Sequence, residues 1–184
     1  MAIDPNLLAQ VLRTPDSRDV TESPIVRAVI LSDPANAADL APALDDNQTL
    51  EASNARKILC LFESNAVPPL LTALQMAGPR ARQEGLEVLW ALLVAEEAWT
   101  VRETLEAVKP DLHALLDDTS PLRDDMPEYI ERDFRGRICD LAFGIVQQLL
   151  DREYDQSLFR SLDDTGRNEE IRRLTARGFG LHLA

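Results

Sequence analysis

Apolar residues return with a helical period along most of the chain. Between Arg80 and Ala95, Leu86, Leu89, Trp90, Leu93 and Val94 follow the i, i+3, i+4, i+7, i+8 spacing of one helix face, which places Trp90 in the core. After Pro127, Ile130, Phe134, Ile138, Leu141, Ile145 and Leu149 form a second stripe, while Glu131, Arg132, Arg135, Arg137 and Asp140 occupy the polar remainder. Ala55, Ile58, Leu59 and Phe62 form a third, preceded by the polar stretch from Asp45 to Gln48. No segment sustains period-two alternation. The β-branched run Val29-Ile30-Leu31 continues the helical pattern of Ile25 and Val26, so no sheet is predicted.

Punctuation agrees with this pattern. Asp4-Pro5, Ser23-Pro24 and Asp33-Pro34 each pair a capping side chain with a proline suited to the first helical turn. Gly78-Pro79 and Met126-Pro127 mark breaks ahead of long amphipathic segments. Four short segments carry leucines four apart: Leu40/Leu44, Leu70/Leu74, Leu112/Leu116 and Leu158/Leu162. Each precedes a polar turn and a longer helix, and their leading leucines are offset by 30, 42 and 46 residues. Uneven periods of this size fit stacked helical hairpins that bury their apolar faces against their neighbours.

Within the second of these units, the run from Asn65 to Leu74 resembles the opening of an armadillo repeat's second helix, and Ala81 to Leu93 resembles its third. The resemblance is specific over about 30 residues; HEAT repeats fit the outer units equally well. It implies an all-α, armadillo/HEAT-like α-solenoid of stacked helical hairpins, one domain over residues 1–184, that binds another protein. Armadillo proteins that hold extended peptides typically place an Asn four residues after the third-helix Trp. Here Val94 follows Trp90 at that spacing, so the extended-peptide mode is not expected.

Composition narrows the function. A length of 184 residues suits one self-sufficient core, and 45% hydrophobic residues with only 7 glycines favour a folded helical chain. The net charge of -13 opposes contact with a phosphate backbone, so nucleic acid is not an expected partner, and it favours encounter with a basic protein. Cys60 and Cys139 sit among apolar neighbours and read as buried, reduced thiols, which points to the cytoplasm. Neither a secretory leader nor an apolar run of spanning length is seen, so no membrane role is expected.

Catalytic motifs are missing. GxGxxG, Walker-type, HExxH and CxxC patterns do not occur, and His113 and His182 sit far apart without close-spaced ligands. No enzyme, cofactor or metal is therefore expected. The recurring acidic doublets are the stronger candidates. Asp45-Asp46, Asp117-Asp118 and Asp163-Asp164 each follow the second leucine of a unit, and Asp124-Asp125 lies in the longest loop. They either cap the next helix or form an acidic ridge that meets a partner, joined by Glu84 and Glu87 on the third-helix segment. Arg172, Arg173 and Arg177, like Arg132, Arg135 and Arg137, are expected to pair with the surplus acids.

The sequence thus predicts a non-enzymatic interaction protein, most concretely an acidic inhibitor or immunity protein that neutralises a basic partner such as a toxin. A chaperone or assembly adaptor is the nearest alternative. A HEAT-like enzyme with a concave groove is the competitor from another class.

Overall fold

The computed structural model describes residues 3–15, 17–45, 49–122, 136–150 and 153–181. The Met126-Pro127 break, the stripe positions Ile130 and Phe134, Arg132, Arg135 and His182 lie outside these residues, as do Asp46, Asp124 and Asp125. Every regular element among the described residues is helical, with a single isolated bridge between Pro121 and Arg137. The chain divides into two compact units, Met1–Glu96 and Glu97–Ala184.

In the N-terminal unit, α1 (Pro5–Leu12) begins where the sequence places it: Asp4 accepts the Asn6 amide at 2.8 Å and Pro5 occupies the first turn. Asp33 caps the 3₁₀ turn Pro34–Asn36 in the same way, and helix also begins at Pro24, passing into a π turn over Val26–Ile30. There follow α2 (Ala37–Leu40), the 3₁₀ segment Ala41–Asp45, α3 (Thr49–Leu59), a 3₁₀ turn at Ser64–Ala66, α4 (Val67–Gln75) and α5 (Pro79–Val94).

The 30-residue offset recurs in the pattern of burial. Residues 34–45 and 64–75 show the same order of buried, half-buried and exposed positions throughout, each opening with a 3₁₀ turn and continuing as helix. Ala37, Leu40, Ala41 and Leu44 in the first copy match Val67, Leu70, Leu71 and Leu74 in the second, all fully buried. Only the helix type differs. Pro42 lacks the N–H that would bond back to Ala38, so α2 tightens into a 3₁₀ segment there. Pro68 and Pro69 lie in the first turn of α4, where no such bond is owed. Across the copies α2 packs on α4 and α3 on α5, and the Ala41–Asp45 segment packs on both α3 and α5.

Two buried asparagines close helix ends. Asn54 donates to the carbonyls of Leu12 (2.9 Å) and Thr14 (2.8 Å), and Asn36 donates to Val29 and Ile30. These are carbonyls that the ends of α1 and the π turn leave without intrahelical partners.

The C-terminal unit holds α6 (Ala98–Ala107), α7 (Lys109–Leu116), α8 (Ile138–Leu150), α9 (Gln156–Ser161) and α10 (Asp164–Ala176). Helix α8 packs against α6, α7 and α10. Leu112 and Leu116 are buried, but the last leucine pair departs from the pattern: Leu158 is 64% exposed, and its neighbour Phe159 is buried instead, stacked on Phe143 at 4.4 Å. The unit ends in a turn where Gly178, Phe179 and Gly180 all adopt positive φ. Phe179 holds this conformation with its ring buried against His113, at 5.1 Å between centroids.

Three expectations about burial are corrected. Trp90 is 40% exposed, because the buried face of α5 is centred on Gly85, Leu89 and Leu92; Trp90 and Val94 fall just past its edge. Cys60 is exposed, lying one residue beyond the end of α3, whereas Cys139 is buried. Asp140, read as part of an outer polar face, is buried within α8.

Burial, aided by the neighbouring Asp140 carboxylate, pushes the Cys139 thiol up to about 11 from 9.0, so the folded unit resists ionising a group that the unfolded chain ionises readily. The stability this protects is complete below pH 9 and drains away as the pH rises towards 11. The slope should reach about 1.4 kcal/mol per pH unit for this one group. Urea unfolding measured across that range should show the decline. Cys139→Ala should flatten it, leaving the shares due to Tyr154 and Cys60, whose hydroxyl and thiol are also shifted upward by burial. A Cys139→Ala protein with the same slope as wild type contradicts the assignment.

Candidate partner-binding groove

An open groove of about 520 Å³ lies among α1, the Ala41–Asp45 segment and α3. Its floor is apolar. Pro5, Leu8, Ala9 and Leu12 recur on one face of α1, and Pro42 and Ala43 face them from the 3₁₀ segment. Three carboxylates complete the lining, those of Asp39, Asp45 and Glu51. Among the described residues, no lysine or arginine lines the groove.

Each carboxylate is held by its own local structure. Asp39, in the first turn of α2, accepts the Ile3 amide at 2.8 Å. Glu51, in the first turn of α3, accepts from Arg13 Nε at 2.7 Å. Asp45 lies against Gly78 at the start of α5, with Oδ1 3.4 Å from the Ala81 amide, although 36 residues separate the two in the chain. A side chain at position 78 would collide with that carboxylate, its Cβ falling 2.6 Å from Oδ1, so glycine makes room for a cap supplied from elsewhere. All three acids thus sit at helix N-termini, where the dipole favours negative charge.

The other predicted acids are placed differently. Glu84 and Glu87 reach across from α5 to Arg56 on α3, Glu87 at 3.5 Å, and form an interhelical clasp. Asp117 ends α7 and is exposed. Asp118 accepts the Ser120 amide at 2.9 Å, and its carbonyl accepts from Cys139 N at 2.8 Å. Asp163 caps α10 through the Gly166 amide at 2.8 Å, and Asp164 pairs with Arg167. The two described doublets of the C-terminal unit therefore both engage the start of α8: Asp118 directly, and Asp164 through Arg167, which lies 3.5 Å from Asp140. Arg173 pairs with Glu169 and Glu170, as expected of the basic cluster.

Sequence reasoning reached Asp45 but missed Asp39 and Glu51. The signal available was the Pro5, Leu8, Ala9, Leu12 spacing of α1; nothing in the chain indicated which carboxylates would gather over it.

Among the described residues no group of three or more His, Cys, Asp and Glu side chains is placed to hold a metal ion, and no helix is long and apolar enough to cross a membrane. The fold and groove define an all-helical protein with an acid-rimmed apolar cleft. Compared with known proteins, the chain matches no family model, no curated protein and no solved structure.

Proposed function

We propose that this chain is a non-enzymatic protein-interaction module of armadillo/HEAT-like α-solenoid type, which binds a basic partner protein through the groove beside α1. The most concrete form of this reading is an acidic inhibitor or immunity protein that covers and neutralises its partner. The observation that carries it is the groove itself, an aliphatic floor edged by Asp39, Asp45 and Glu51 on a chain of net charge -13. An apolar floor supplies the burial that gives affinity, while the carboxylates steer a cationic surface in and penalise an anionic one. The repeat of residues 34–45 in 64–75 supports the solenoid part of the reading.

The test is a substitution that fills the groove without disturbing its acids. Immobilised chain challenged with soluble extract from its native source, at about 50 mM salt, should retain a basic protein that higher salt releases. Ala43→Arg, which puts bulk and positive charge on the half-buried floor, should lower that retention at least about tenfold, with the helical circular dichroism unchanged. Retention that is indifferent to Ala43→Arg overturns the groove assignment.

An assembly adaptor is the second reading, and one observation favours it. Trp90 and Val94 stand one turn apart on α5 and are 40% and 48% exposed, an aromatic and aliphatic pair suited to a second contact. Under this reading Trp90→Ala removes one bound protein and Ala43→Arg another; under the inhibitor reading both act on the same one or Trp90→Ala acts on none.

A further inference from the structure

We infer that the groove receives an amphipathic α-helix of its partner, with an aliphatic stripe against the floor and cationic side chains on Asp39 and Asp45. This rests on the groove being the binding site, and it adds the backbone conformation and the side-chain chemistry of the occupant.

The walls decide the conformation. Every described residue that lines the groove belongs to a helical element: α1, α2, the Ala41–Asp45 segment or α3. Helical backbone pairs its N–H and C=O groups within its own turns, and Pro5 and Pro42 have no N–H to offer. At the end of α1, where carbonyls would otherwise stand open, the Arg13 amide closes Ala9 and the Asn54 side chain closes Leu12. An extended peptide laid here would bury N–H and C=O groups with no ladder to receive them. A helix enters with its backbone already paired, and recognition falls to side chains.

The floor has the form that a helix fits. Pro5, Leu8, Ala9 and Leu12 make an i, i+3, i+4, i+7 stripe, about 10 Å long at the rise of an α-helix. Leu8 and Ala9 are half-buried, as is Ala43 across the groove, so aliphatic surface remains for a partner to cover. The small side chains of Ala9 and Ala43 leave space for larger ones on a helix packed at the usual axial distance of about 8–10 Å. Glu51 is engaged by Arg13, so recognition of charge falls to Asp39 and Asp45. Each holds one backbone amide, that of Ile3 or of Ala81, and a carboxylate can accept several donors more. A metal ion or a free polyamine would leave the aliphatic floor uncovered, and a second copy of this chain is opposed by its net charge of -13.

The experiment titrates labelled synthetic peptides of about 14 residues into the full chain at about 50 mM salt. The reference peptide has leucines at i, i+3, i+4 and i+7, with lysines and arginines on its flanks. It should bind and gain helical circular dichroism on doing so. Replacing two central non-leucine residues by proline keeps its charge and its leucines but forbids the helix, and should weaken binding at least about tenfold. Exchanging the cations for glutamates should abolish binding. In the chain, Asp39→Asn and Asp45→Asn retain an acceptor for the Ile3 and Ala81 amides while removing charge, and each should weaken the reference peptide about three- to tenfold. Glu63→Gln, at an exposed acid outside the groove, should change affinity less than about twofold.

A proline peptide that binds as tightly as the reference overturns the helical occupant. Asp39→Asn and Asp45→Asn proteins that both behave like Glu63→Gln overturn the cationic contact. Neither result touches the groove, which Ala43→Arg tests with the captured native partner. Reference-peptide binding that survives Ala43→Arg removes the groove and the occupant together, and a wild-type chain that leaves the reference peptide free overturns the occupant alone. Unchanged circular dichroism of the unliganded variants establishes that each is folded.

Discussion

Replacing Asp140 with alanine will destabilise the C-terminal unit by about 3–5 kcal/mol, the largest single effect expected outside the aliphatic core. The Asp140 side chain is fully buried and carries two arginines. Its Oδ2 accepts from the backbone N and Nε of Arg137, both at 3.0 Å, Oδ1 accepts from Arg137 Nη2 at 2.7 Å, and Arg167 Nε lies 3.5 Å from Oδ2. Arg167 is only 8% exposed and Arg137 13%. Removing the one carboxylate takes from Arg137 the acid that accepts its guanidinium and from Arg167 a buried acidic neighbour beside the exposed Asp164, and the guanidinium of Arg137, now shifted to hold its proton more firmly by that hydrogen bond, loses the cause of the shift. The start of α8 also loses the acceptor for its Arg137 amide. Hydrogen exchange over α8 reads the result locally, so unfolding elsewhere does not obscure it. Protection of residues 138–150 should fall by a factor of several hundred or more, while a change below about tenfold contradicts the account.

Gly85→Val should destabilise the N-terminal unit by about 3 kcal/mol. Gly85 lies on the buried face of α5 against Leu74 of α4, close enough that an added Cβ would fall 2.7 Å from Leu74 Cδ2 and 3.0 Å from Cγ. Leu74 is itself fully buried and cannot swing aside without moving its neighbours. Gly85→Ala is the informative companion. Alanine favours the helix by about 1 kcal/mol over glycine but meets the same collision, so a smaller net loss is expected. Urea unfolding followed by Trp90 fluorescence in a Trp99→Phe background reports on this unit, since Trp90 lies on α5 and Trp99 on α6. A Gly85→Val protein as stable as wild type would mean that α4 and α5 do not meet as described.

The contrast between these sites explains how much could be read in the chain. Helix starts at Asp4-Pro5, Asp33-Pro34 and Gly78-Pro79 were legible because a cap and its first turn are neighbours in sequence. The leucine pairs of the first two units were legible because burial on one helix face imposes a local period. Asp140 was not. A charged residue on an amphipathic helix reads as outward-facing until it is known that Arg137 turns in to hold it and that Arg167, from another helix, packs 3.5 Å away. Trp90 failed for a smaller reason: a period of 3.6 leaves the edge of a stripe ambiguous by one position, and only the packing of α4 and α3 sets where that edge falls.

The groove shows the same division. Its floor is a periodic face of α1, present in the sequence as Pro5, Leu8, Ala9 and Leu12, but it is a groove only because the Ala41–Asp45 segment and α3 lie beside it. Asp45 stood out as half of a doublet; Asp39 and Glu51 are single acids in first turns and carried no such mark. The sequence by itself determined that the chain is helical, where several helices begin, that buried leucine pairs stand 30 residues apart and that the chain is strongly acidic, all of which depend on neighbours or on sums of charge. The tertiary structure alone decided which acids line the groove and which distant groups hold them, because those roles depend on residues 36 to 38 positions apart meeting in space, as Asp45 meets Ala81, Ile3 meets Asp39 and Arg13 meets Glu51.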